Sequence, residues 1–140
     1  MGAWSADSFG NDDACDWASE LEASADLSVV ESALDRVLEV GDGYLEAPEA
    51  SQAIAAIEAI ARLQGNWGKR DAYSETVDRW VENVKLTPDG SVVIKAHKVI
   101  ERVLAEPSEL LELWQESGEV ETWLAAVHDL RARVTRGATR

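Results

Sequence analysis

Apolar residues recur along this chain every three or four positions and almost nowhere every second one, the spacing of helices rather than strands. Ala14, Trp17, Ala18 and Leu21 form the first stripe. Asp12 and Asp13 precede it, with carboxylates suited to the free N–H groups and positive dipole end of a first turn. Ser28 followed by Glu31 has the spacing of a capping box, and Val30, Ala33, Leu34, Val37 and Leu38 make the face of a second helix that Gly41 stops. After the connector GDGYLEAP, Pro48 suits the first turn of a third helix running to about Leu63. Its AIAAIEAIA core is apolar on most sides, which predicts a central helix with neighbours all round.

QGNWGKRD breaks the pattern before a fourth stripe of Val77, Trp80, Val81 and Val84. TPDGS reads as a turn. Val93, Ala96, Ile100, Val103 and Leu104 mark a fifth helix, although its opening SVVI also fits a short strand. Pro107 ends that helix and opens a sixth, with Leu110, Leu111 and Trp114 inward and Gly118 as its stop. Val120, Trp123, Leu124, Val127, Leu130 and Val134 define the last. The expected architecture is all-α: a single compact domain over residues 1–140, with about seven helices joined by short turns. Residues 1–10 are read as an N-terminal arm packed on the bundle and 135–140 as a frayed tail.

The opening MGAWSADSFGNDDA, with YLEAPEASQAIAA around Tyr44 and SELLELWQES around Trp114, resembles the bacterial domain-of-unknown-function family 4259. The resemblance spans most of the chain and departs from it where Ser5 and Asp7 replace glycines common in the family. It implies that Trp4, Phe9, Asn11, Asp12 and Ala14 form a family-wide structural feature, and it implies no activity.

Charge narrows the picture further. Residues 1–66 hold 14 acidic residues against two basic ones, Arg36 and Arg62, whereas residues 67–140 hold 13 against 11. Nearly all of the formal charge of −14 therefore sits in the N-terminal half. Such a field repels nucleic acid and anionic membranes and steers a basic protein inward. No apolar run approaches the roughly 20 residues of a membrane span. The N-terminus shows no basic region followed by an apolar stretch, so no secretory signal is expected. Met1-Gly2 fits myristoylation poorly because Ala6 stands where Ser or Thr is needed. A single cysteine, Cys15, excludes an intramolecular disulfide, and a cytoplasmic location is expected.

Candidate chemistry is sparse. Asp13, Asp16 and Glu20 share one helix face and, with Asp12, offer oxygens to a hard cation, but a capped helix with a solvated acidic face accounts for the same residues. Cys15 lies among carboxylates, which raise a thiol's pKa and argue against a catalytic thiolate. His97 and His128 lack any ligand spacing, and neither GNWG nor GDG makes a phosphate loop. No cofactor is expected. Trp17, Trp80, Trp114 and Trp123 fall on core stripes, whereas Trp4 and Trp67 do not. Trp4 and Phe9 are expected to fold back with the arm, and Trp67 is a candidate interface anchor. The leading expectation is a non-enzymatic acidic protein-interaction module, such as an immunity- or antitoxin-like inhibitor of a basic partner. Its contacts would be Asp35, Glu39, Asp42, Glu46, Glu49 and Trp67. The alternative is a metal-dependent hydrolytic enzyme using Asp12, Asp13, Asp16 and Glu20. Whether the chain self-associates is left open.

Overall fold

A computed structural model describes residues 6–138. It contains α1 (Asp12–Glu22), α2 (Ser28–Glu39), α3 (Ala47–Leu63), α4 (Glu75–Val84), α5 (Gly90–Val103), α6 (Glu109–Ser117) and α7 (Val120–Ala138). One isolated parallel bridge joins Leu45 and Ser108. The SVVI stretch is the first turn of α5, because Asp89 caps it by accepting from the Val92 N–H. Residues 135–138, read as a frayed tail, carry helical backbone, and 139 and 140 lie outside the described residues.

The apolar stripes face inward as their spacing requires. Ala14, Trp17, Ala18 and Leu21 are the buried residues of α1, and Val30, Ala33, Leu34 and Val37 those of α2. α3 is buried along an unbroken run from Ala53 to Arg62, and it packs against all six other helices. Full burial of a side chain such as Ile57 or Ile60 contributes about 1.5–3 kcal/mol, so α3 is the hydrophobic hub. Trp17, Trp80 and Trp123 are buried. Trp114 is half-buried and stacks parallel on Trp123 with ring centroids 6.2 Å apart.

Two expected caps form differently. α1 is capped by Asn11, whose Oδ1 accepts from the Ala14 N–H at 2.8 Å, leaving Asp12 and Asp13 in the first turn. Ser28 is the first residue of α2 rather than its cap. Asp26 Oδ1 takes the Ser28 N–H at 3.0 Å instead, so no capping box closes with Glu31. Gly41 follows α2 at φ +60°, a left-handed turn that favours glycine. The described part of the arm, residues 6–10, packs on the bundle: Phe9 is buried, with its ring 5.5 Å from the Arg62 guanidinium. Trp4 lies outside the described residues.

Candidate functional site

Glu58 and Arg62 interrupt the apolar run of α3 at i and i+4, which sets them on one helix face. Both are buried, and a buried charge is tolerated only when paired and hydrogen-bonded. Arg62 donates through Nη1 to Glu58 Oε1, through Nε to Asp78 Oδ1 of α4 at 2.7 Å, and through Nη2 to the Lys69 carbonyl. From α7, Arg133 grips the same Glu58 carboxylate in a parallel pair, Nη1 to Oε1 at 3.0 Å and Nη2 to Oε2 at 2.7 Å. Ser8 of the arm donates to Glu58 Oε2 at 2.8 Å, and Ser74 to Asp78 Oδ2 at 2.7 Å.

The result is a neutral buried quartet of two guanidiniums and two carboxylates that ties the arm, α3, α4 and α7 to the segment between α3 and α4. Burial alone would depress the Arg133 guanidinium. The hydrogen bonds and charge of Glu58, and then of Asp129, reverse this and hold it above its ordinary value. Gly68 leaves the space for it: a Cβ there would lie 2.8 Å from Arg133 Nη1.

Over this quartet opens a cleft of about 200 Å³ between the arm, residues 69–74 and α7. The lone pairs of Glu58 and Asp78 are taken up by guanidinium and hydroxyl donors. The quartet thus acts as a rigid floor.

The residues expected to contact a partner are not all unengaged surface charges. Asp35 pairs with Lys95 at 2.9 Å, which also reaches Glu31 at 3.5 Å. Glu39, Asp42 and Glu46 are exposed along the connector between α2 and α3. That connector is rigid, because Arg102 donates to the Gly41, Gly43 and Pro107 carbonyls and Glu109 Oε1 accepts the Ala47 N–H at 2.7 Å. Beside it, the Tyr44 phenol is pushed up to about 12 by its hydrogen bond to Glu112. Trp67 is half-buried between two arginines, Arg70 at 4.3 Å and Arg62 at 5.6 Å from its ring centre.

The candidate metal set is not assembled either. Among the described residues no group of three or more His, Cys, Asp or Glu side chains is arranged to hold a metal ion. Asp13 and Glu20 are separated by about 10 Å of helix, at 1.5 Å per residue, too far for one cation. What the fold does create is a crowded acidic face around α1. Asp12 and Asp16 are exposed on it. Asp13 is raised by partial burial and then by Asp16, Asp12 and Glu49 of α3. The Cys15 thiol is pushed up by burial, then by Asp12, Asp16 and Asp71, and its Sγ lies 3.6 Å from the Phe9 carbonyl oxygen. Carboxylates from α3 and from the segment before α4 thus lie within electrostatic reach of α1. His97 is half-buried and His128 is exposed.

The family described as a domain of unknown function, DUF4259, matches residues 2–126, and the chain belongs to it. No curated protein and no solved structure matches the chain. Within the described part of the family's opening motif, Phe9, Asn11 and Ala14 have clear structural roles as arm anchor, helix cap and fully buried core residue. Asp12 occupies the exposed first turn of α1.

Proposed function

We propose that this member of the DUF4259 family is a non-enzymatic protein-interaction module of the cytoplasm that binds a basic protein through the acidic face around α1. The observation that carries the reading is that Asp12 and Asp16 are exposed on α1, with Glu49 within electrostatic reach of Asp13 and Asp71 within reach of Cys15 on the same helix. These carboxylates come from three segments remote in sequence and raise one another's neighbours in pKa. Concentrating like charge in this way costs folding energy, and an oppositely charged partner recovers it. An immunity- or antitoxin-like inhibitor that covers the positive cleft of another protein is the concrete form we favour. The connector residues Glu39, Asp42 and Glu46 extend the same negative field, whereas Asp35 is engaged with Lys95.

The test is capture of a partner from lysate of the source organism by the wild type, by Asp12→Lys/Asp16→Lys/Glu49→Lys, and by Glu39→Lys/Asp42→Lys/Glu46→Lys. Captures are compared at low salt and at roughly 0.5 M, where the Debye length falls to about 4 Å. A basic protein held by the wild type and lost by the first variant, chiefly through a slower association rate, supports the reading. Loss with the second variant alone moves the contact to the connector. Equal capture by all three, or none by the wild type, refutes an acidic docking face.

A further inference from the structure

The cleft above the buried quartet is a pocket partly open to solvent that is lined in part by Asp71, and its lining specifies what fits. Four carboxylates, Asp7, Glu58, Asp71 and Asp129, stand against three cations, Arg62, Arg133 and Lys69, and Glu58 is already saturated by guanidinium and hydroxyl donors, which leaves Asp7, Asp71 and Asp129 for a ligand. Two of those cations are unavailable to a ligand, because Arg62 and Arg133 are buried and spend their donors on Glu58, Asp78, Asp129 and backbone carbonyls. The third, Lys69, is 67% exposed and lies across the mouth, 3.0 Å from Asp7 Oδ2 and 3.8 Å from Asp71 Oδ2. Its tether is a flexible butyl stem, so it is an internal occupant that can swing out to solvent.

Two aromatic rings complete the lining. Phe9 is buried at the base with its ring already 5.5 Å from the Arg62 guanidinium, and Tyr73 stands half-exposed at the rim. Carboxylates combined with aromatic rings recognise ammonium and guanidinium groups, through charge-assisted hydrogen bonds and cation–π attraction. A volume of about 200 Å³ equals roughly six waters, room for one extended basic side chain.

The geometry points to this cleft as the receptor for a single lysine or arginine side chain of the basic partner, which enters by displacing the Lys69 ammonium from Asp7 and Asp71. The inference rests on the reading of the α1 face as a docking surface and adds its anchor point. Asp129 lines the cleft with a side chain that is 65% exposed, and only its Oδ2 is engaged, by Arg133 Nε at 2.8 Å.

The experiment uses the full chain and two small mimics, n-butylguanidinium and n-butylammonium, with n-butanol as the neutral control. Binding is followed by amide chemical shifts in two-dimensional NMR. Saturable shifts confined to residues 7–10, 69–74 and 126–133 are expected, with dissociation constants of about 1–10 mM for such small cations. Lys69→Ala removes the internal competitor and should bind roughly two- to fivefold tighter, the scale of an exposed ion pair. Asp129→Asn should bind more weakly, and butanol should leave these residues unmoved. Shifts spread over all acidic residues, no saturation, or unchanged affinity in Lys69→Ala would overturn the assignment. Partner capture lost with the α1-face variant while the mimics fail to bind would remove only the cleft. Mimic binding without any captured partner would remove only the protein-docking reading.

Discussion

Replacing Glu58 by alanine strips two buried guanidiniums of their shared acceptor at once. Arg62 loses its Nη1 bond, Arg133 loses both Nη bonds to the carboxylate, and Ser8 loses its only acceptor in the network. What remains is Asp78 and the Lys69 carbonyl for Arg62, and the largely exposed Asp129 and the Asn66 carbonyl for Arg133. None of these replaces a central anion between two cations that are 2% and 6% exposed. Breaking a buried pair from one side costs about 3–5 kcal/mol, a large part of the roughly 5–15 kcal/mol that holds a domain folded. At about 3 °C per kcal/mol for a chain of this size, the melting temperature should fall by about 10–15 °C.

Urea unfolding followed by far-UV circular dichroism measures it, with an unchanged m-value showing that the native state is otherwise intact. The companion variant Glu58→Leu/Arg62→Leu/Asp78→Leu/Arg133→Leu removes the charges together and should lie within about 2 kcal/mol of wild type, since well-packed apolar groups substitute for buried ion networks at little net cost. The reasoning is wrong if Glu58→Ala costs under about 1 kcal/mol, or if the quadruple variant is much less stable than the single one.

Further outcomes follow from the same contacts. Gly68→Ala drives a methyl into the Arg133 guanidinium and should destabilise by about 1–3 kcal/mol, measured in the same urea assay. The Tyr44 phenol is raised to about 12 by Glu112, so its hydrogen bond is fully present below the ordinary tyrosine value near 10 and is lost as pH rises through 12. Ultraviolet titration of Glu112→Gln should return that inflection toward about 10. Because burial and then Asp12 and Asp16 push the Cys15 thiol up, less thiolate exists at a given pH. Alkylation at pH 8 should therefore be slower than for a free thiol and should quicken in Asp12→Asn/Asp16→Asn.

Helix positions and burial were readable because each stripe is a local property: Trp17, Leu34, Ile57 and Leu130 face inward for the same reason that their neighbours at i+3 and i+4 do. Caps were less readable, since Asn11, Asp12 and Asp13 are all good caps and only backbone geometry selects Asn11. The buried quartet was hidden altogether. Glu58 and Arg62 look like two surface charges in an apolar helix, and their partners Asp78 and Arg133 stand 16 and 75 residues away. The one local hint was that these two charges interrupt a run with no polar face on which to put them. Gly68 likewise reads as an ordinary loop glycine until the guanidinium behind it is seen. The sequence also does not show which of the five carboxylates from α2, the connector and the start of α3 are engaged elsewhere. Lys95 takes Asp35, and α1 meets Glu49.

The 75 residues between Glu58 and Arg133 also measure time. During synthesis at 5–20 residues per second, the carboxylate of the most apolar helix waits about 4–15 s for the guanidinium that completes its bonding. α3 begins that interval without α4 to α7, four of the six helices that cover it, and they follow one after another, with Asp78 of α4 reaching Arg62 part-way through. The hub of the finished bundle thus spends seconds with apolar surface uncovered, which makes early α3 a stretch suited to a holding chaperone.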